Sequence, residues 1–260
     1  MGTKLTQRKI SNSNISLSEI GLGTVKFGRN TDIKYPESFD LPSDNDLIEI
    51  LNTAAELGVD YLDTAVAYGT ANQRLGQILP KINKKFKIVS KIGERYSPES
   101  GSKYDFTRTA LEEDFEKLLE ELGVNFIECL LLHCNDNDYG DDIKDGLKFL
   151  KQLKQKGLIG AYGSSCKTKE GVRLALELGA DLIMLEPSLF YEIKELFNFH
   201  SNVKVLIKKV FSSGTTLLDK NSNPSAILES YTKEKSIISI VIGSIKIAHI
   251  RQNINPLLNK

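Results

Sequence analysis

The sequence predicts a closed (β/α)8 barrel preceded by an N-terminal β-hairpin. Three observations lead there. Short β-branched runs alternate with longer amphipathic segments, and the alternation recurs eight times across the 260 residues, the count and length of a barrel whose helices cover a parallel sheet. Runs such as "ECLLLH" and "VKVLIKKV" are nearly continuously apolar, which suits parallel strands packed under helices. No Pro/Gly/Ser-rich linker divides the chain, so residues 1–260 are expected to form one domain. A doubly wound open sheet is the alternative, because periodicity alone does not close a barrel.

The elements follow in order. "QRKISNSNISLSE" (7–19) alternates polar and apolar residues around a Ser-Asn turn, as a hairpin does. "EIGLGTV" (19–25) is the first barrel strand, and "SDNDLIEILNTAAELG" (43–58) its helix. Ser43 or Asp44 caps that helix, Leu47, Ile50, Leu51 and Ala54 share a face, and Gly58 stops it. The polar stretch 28–46 between them becomes a loop on the functional face and a candidate substrate wall. The pattern then repeats: "DYLDTA" before "NQRLGQIL", "KIVSKI" before "DFTRTALEEDFEKLLEELG", and "FIECLLLH" before "DDIKDGLKFLKQLKQKG". It continues with "IGAYGSS" before "TKEGVRLALELG", "LIMLEPS" before "FYEIKELFN", "VKVLIKKV" before a short helix near "NPSAILESYTKE", and "SIVIGS" before "KIAHIRQNI".

Composition narrows the function. Lys plus Arg and Asp plus Glu number 34 each, for a formal charge of zero, so no global field attracts nucleic acid or an acidic membrane. The cysteines, Cys129, Cys134 and Cys166, include no C-x-x-C pair, which argues against a disulfide framework or structural zinc and for a reduced cytoplasm. The start has no apolar signal-peptide core and no run is long enough to span a membrane. The three histidines, His133, His200 and His249, form no i, i+4 pair, which weakens a metal-dependent lyase or isomerase.

In a barrel the chemistry stands at the C-terminal ends of the strands. There the sequence puts Asp63 at the end of the second strand with Tyr68 five residues on, Lys91 at the third and His133 at the fourth. Each has an ordinary explanation taken alone: a turn carboxylate, a packed ring, a satisfied histidine. A lysine within "IVSKIG" is harder to explain, since lysine is rarely buried unless paired. Together they suit hydride addition to a ketone or aldehyde, whose oxygen develops alkoxide charge and needs a proton donor. Tyr68 would donate the proton, Lys91 would lower the phenol's pKa, Asp63 would hold the ammonium, and His133 would orient the carbonyl oxygen.

These segments, "LDTAVAYG", "VSKIG" and "LLLHC", resemble the aldo-keto reductase superfamily, and the likeness extends from "ISLSEIGLGTVKFG" to "VIGSIKIAHIRQNI". The resemblance implies a barrel that binds a nicotinamide cofactor, NADPH rather than NADH, and reduces a small-molecule carbonyl with Asp63, Tyr68, Lys91 and His133 as the catalytic group. On the same basis Gly21 and Gly23 let backbone approach the nicotinamide, and Thr24 either touches that ring or finishes its strand. Ser165 and Cys166 stand where the family carries Ser-Asn, and Met184 where it carries Gln, so two contacts to the carboxamide are altered. "KKVFSSG" resembles the diphosphate loop, with Phe211, Ser212 and Gly214. Gly243, Ser244, Lys246, His249 and Asn253 resemble the adenosine-phosphate segment, with Arg251 either beside them or simply solvated. The short stretch after the last helix leads to the expectation of an open pocket for a polar carbonyl such as a keto-sugar. A non-catalytic NADP-binding barrel, similar to the β subunits of potassium channels, is the alternative.

Overall fold

The structure, a computed structural model, describes residues 4–33, 35, 38–211 and 223–258. The hairpin comes first: β1 (Gln7–Lys9) and β2 (Ser16–Ser18) pair antiparallel, with Arg8 opposite Leu17. Barrel strand β3 (Ile20–Gly23) follows, then α1 (Val25–Gly28) and α2 (Asp44–Glu56). Strand β4 (Tyr61–Asp63) leads to α3 (Ala71–Ile78), and β5 (Lys87–Ile92) to a second hairpin of β6 (Glu94–Ser97) and β7 (Gly101–Tyr104) ahead of α4 (Arg108–Leu122). The remaining units are β8 (Ile127–His133) with α5 (Asp141–Gln155), β9 (Ile159–Ser165) with α6 (Lys169–Glu177), and β10 (Leu182–Leu185) with α7 (Pro187–Ile193) and α8 (Leu196–Phe199). Strand β11 (Lys204–Ile207) precedes α9 (Pro224–Thr232), and β12 (Ile237–Ile242) precedes α10 (Ile247–Leu258).

Strands β3, β4, β5, β8, β9, β10, β11 and β12 form a closed parallel barrel, and the pairing of Ile240 in β12 with Ile20 in β3 completes the ring. The open sheet is thereby excluded. Helix α2 shows how local sequence builds a unit. Ser43 accepts from the Asp46 N–H while the Asp46 carboxylate accepts from the Ser43 N–H, a capping box that contributes about 1 kcal/mol. Leu47, Ile50, Leu51 and Ala54 are buried, and Gly58 leaves the helix at φ +92°.

Inside the barrel, Tyr61, Val89, Cys129, Leu131, Leu182, Met184 and Leu206 pack with Ile10 and Leu17 of the hairpin. The hairpin closes the N-terminal end: the Ser18 N–H donates to Asp60 just before β4, and Lys87 at the start of β5 donates to the Ser16 carbonyl. Gly21, expected to admit a cofactor, has a packing reason instead. A Cβ there would lie 2.0 Å from Cζ of Tyr61, whose ring crosses the barrel and meets Ser239 Oγ at 2.7 Å.

Candidate active site

The opposite end of the barrel brings the four expected groups together. Asp63 ends β4 and Lys91 lies in the neighbouring β5, where Asp63 pairs with Val89. Lys91 Nζ donates to Asp63 Oδ1 at 2.7 Å, to the Thr64 carbonyl at 3.0 Å and to Tyr68 Oη at 3.1 Å. All three ammonium protons are thus used, which is what allows a lysine only 1% exposed to persist. Tyr68 is held by its own loop: its N–H donates to the Ala65 carbonyl, and the next residue, Gly69, has φ +60° and packs against the Gly28 carbonyl. Any Cβ at Gly69 would lie 2.2 Å from that oxygen. The glycine of "AYG" therefore aims the phenol. His133 ends β8, with its ring edge-on to Tyr68 at 6.1 Å between centroids.

Electrostatics separate their states. Burial raises the pKa of Tyr68 to about 12, with Asp63 and Glu94 adding to the effect and Lys91 opposing it. The expected lowering toward neutral pH is not found, because the loss of water outweighs the single cation; the phenol keeps its proton. Burial lowers Lys91, but Asp63 and Tyr68 outweigh it and the ammonium stays charged. Burial brings His133 down to about 4, opposed by Glu94, so the imidazole is neutral at pH 7. Its Nδ1 lies 2.8 Å from Glu94 Oε2, though off the line along which a ring N–H donates. Burial would raise Glu94, yet His133, Ser102 and Arg29 hold it below the usual carboxylate range.

These groups open onto a cavity of about 650 Å³, within the range of ligand sites. Gly23, Asp63, Tyr68 and His133 line it together with Phe211, Gly243, Ser244, Lys246, His249 and Asn253. Lys26 joins them, its ammonium 3.6 Å from the centroid of the Tyr35 ring. Burial and the nearby Lys246 lower the Lys26 pKa, so two cations share one stretch of wall beside the start of α10. Cations with a helix N-terminus form a fitting seat for a phosphate. Other expected residues stand behind the wall. Thr24 is fully buried and its hydroxyl donates to the Asp63 carbonyl, so it finishes β3 and ties it to β4. Ser165 and Cys166 are buried, and Met184 belongs to the barrel interior. Arg251 turns to Glu56 at 3.4 Å. Ser212 and Gly214 lie outside the described residues.

Sequence reasoning missed Glu94 and Lys208, both in the cavity wall. Lys208 stands at the end of an apolar run, "VLIKKV", the same signal that marks Lys91. Glu94 is three residues past Lys91, and nothing in "GERYSPESGSKY" announces that its hairpin folds over the rim.

A closed barrel with a buried Asp–Lys–Tyr group and a neutral histidine on a strand-end cavity defines a class of barrel suited to proton transfer on a bound ligand. Comparison places it more narrowly. The sequence model of the Aldo/keto reductase family matches residues 19–201, and the chain belongs to that family. The uncharacterized oxidoreductase YqkF of Bacillus subtilis is 29% identical over 164 residues, 62% of this chain and 49% of that protein. L-Galactose dehydrogenase of Arabidopsis thaliana is 24% identical over 163 residues, 60% of this chain and 46% of that protein. The chain thus spans about half the length of these curated relatives. The crystal structure of PA4992 from Pseudomonas aeruginosa is 31% identical with a TM-score of 0.84, covering 99% of this chain and 96% of that one. Aldo-keto reductase AKR11C1 from Bacillus halodurans, in its holo form, shares the fold at 20% identity and TM-score 0.82, over 97% of this chain and 91% of that one. Among the described residues no helix is long and apolar enough to cross a membrane, and no three His, Cys, Asp or Glu side chains come together as a metal site.

Proposed function

We infer that the protein is an NADPH-dependent carbonyl reductase acting on a polar aldehyde or ketone. The observation that carries this is the shared ammonium of Lys91, which touches Asp63 and the phenol of Tyr68 at the mouth of a cavity. The nicotinamide would supply hydride to the carbonyl carbon. Phe211, Gly243, Ser244, Lys246, His249 and Asn253 would hold the cofactor, and the cations Lys26 and Lys246 favour a 2′-phosphate and hence NADPH over NADH.

Tyr68 gives its proton to the carbonyl oxygen as negative charge develops there. A phenol with a pKa of about 12 holds that proton at every working pH, which suits an acid facing an alkoxide far more basic than itself. Lys91 stabilises the phenolate left behind, and Asp63 keeps Lys91 charged and aimed. Neutral His133 orients the carbonyl oxygen without competing for the proton. Glu94 lies against the His133 ring from the second hairpin.

Sugar carbonyls are the favoured substrates. Relatives include D-arabinose 1-dehydrogenase of Saccharomyces cerevisiae and D-threo-aldose 1-dehydrogenase of Pseudomonas sp, and the wall here is rich in charge. The three buried free cysteines favour a reducing compartment such as the cytoplasm. The test is NADPH oxidation with a panel of sugars and simple aldehydes. In Tyr68→Phe, kcat should fall about 10²–10⁴-fold, the span of a lost general acid, while calorimetric NADPH affinity is retained. Wild-type activity in Tyr68→Phe would sink the mechanism.

A further inference from the structure

One cation in the cavity wall has no counter-ion of its own. Lys208 follows β11 directly, and its Nζ donates to Ser165 Oγ at 2.6 Å. Among the described residues no carboxylate lies within ion-pair distance of it. The charged groups around it come from several elements. Lys91 reaches toward it from β5, Lys167 from the turn after β9 and Lys209 from its own strand end, all of like sign. Glu186 after β10 opposes them but is taken by Lys209 at 2.6 Å. Asp63 is taken by Lys91, and His133 is neutral. Burial and these like charges bring Lys208 down to about 7.

A partly buried ammonium among cations, in the wall of a cavity and with a neutral hydroxyl as its one hydrogen-bond partner among the described residues, is an arrangement that an anion relieves. The nearby Cys166 offers it no negative charge, because burial pushes that thiol well above its usual range. We propose that Lys208 is an anion seat in the cavity and hydrogen-bonds an anionic oxygen of the bound ligand. That oxygen belongs either to the diphosphate of the dinucleotide or to a carboxylate carried by the carbonyl substrate. The proposal rests on the ligands inferred above, and it adds a recognition residue that is separate from the acid group.

The test is calorimetry on the folded full chain, with NADPH as one probe and succinate in the presence of NADP⁺ as the other. Wild type, Lys208→Met and Lys208→Arg are compared, with Lys208→Gln as a second neutral variant and circular dichroism to confirm folding. Removing a charge-assisted hydrogen bond should weaken one of the two probes about tenfold or more, and the probe affected identifies the source of the anion. Lys208→Arg should restore most of the affinity. For the affected probe, wild-type affinity should fall between about pH 6 and about pH 8.5 as Lys208 loses its proton, and the variant should lack that fall. If NADPH binds the neutral variants as it binds wild type, and succinate shows no binding that depends on Lys208, the proposal is overturned. Binding is read without turnover, so a carbonyl panel that fails to oxidise NADPH would overturn the reductase function and leave this result standing.

Discussion

An Asp–Lys pair stands at each end of strands β4 and β5, and the two pairs do different work. At the N-terminal end, Lys87 lies 2.6 Å from Asp60, with side chains 33% and 15% exposed. At the C-terminal end, Lys91 lies 2.7 Å from Asp63, with side chains 1% and 5% exposed. The ion-pair distances barely differ; the third partner does. Lys87 spends its remaining contact on the Ser16 carbonyl, and Asp60 accepts from the Ser18 N–H, so that pair fastens the hairpin over the barrel bottom. Lys91 also donates to a backbone carbonyl, that of Thr64, but spends its third contact on a phenol facing a cavity. An ion pair by itself marks neither end as functional. What marks the upper end is an ionisable group that the pair controls and that a ligand can reach.

The largest break in this comparison is Lys91→Met. It leaves the Asp63 carboxylate buried without its cation, which costs about 3–5 kcal/mol when one partner of a buried pair is removed. On the proposed mechanism it also leaves the phenolate formed at Tyr68 unsupported. Urea unfolding should show a loss of that order, and kcat should fall by about a hundredfold or more. If Lys91→Met unfolds at the wild-type urea concentration, the pair is not the buried, mutually dependent unit described here.

Much of this upper end is legible in the sequence. The eight strand–helix repeats show through because each strand is an apolar run and each helix a 3.6-residue pattern, and the barrel order then puts Asp63, Lys91 and His133 on one rim. The second hairpin is not legible: β6 and β7 are polar, and Glu94 is the one buried residue in the two strands, so no apolar alternation marks them, and Glu94 is hidden with them. Lys208 is legible by the rule that singles out Lys91. The Tyr68 pKa is misread from sequence because a partner lysine can be named from a motif, whereas the burial that outweighs it is a property of the folded rim.

His133 sharpens the comparison through pH. Its folded pKa is about 4, below the unfolded value of about 6.5, so the unfolded chain takes up the proton first. The contribution of neutral His133 to stability is therefore complete above about pH 6.5 and is lost progressively as pH falls toward about 4. The difference in pKa caps that loss at about 3 kcal/mol. Wild type should lose up to that much more than His133→Gln when urea melts at about pH 7 and about pH 4.5 are compared, with His133→Gln in a Glu94→Gln background removing the carboxylate that His133 holds low. Equal losses in the two proteins would mean that the imidazole is hydrated, as a group at the lower end of the barrel would be.

Lys87→Met should have the smallest effect, and it isolates the contribution of the phenol. Lys87 is a third exposed, so water already screens its attraction to Asp60, and such pairs contribute about 1 kcal/mol or less. Asp60 keeps the Ser18 N–H, so the carboxylate is not orphaned. The variant should unfold within about 1 kcal/mol of wild type and, in the NADPH-oxidation assay of the proposed function, turn over at the wild-type rate, because the hairpin still covers the barrel and nothing at the cavity has changed. A large drop in kcat with little change in stability would show that the lower Asp–Lys pair communicates with the rim through β4 and β5, and the two ends could no longer be treated as independent.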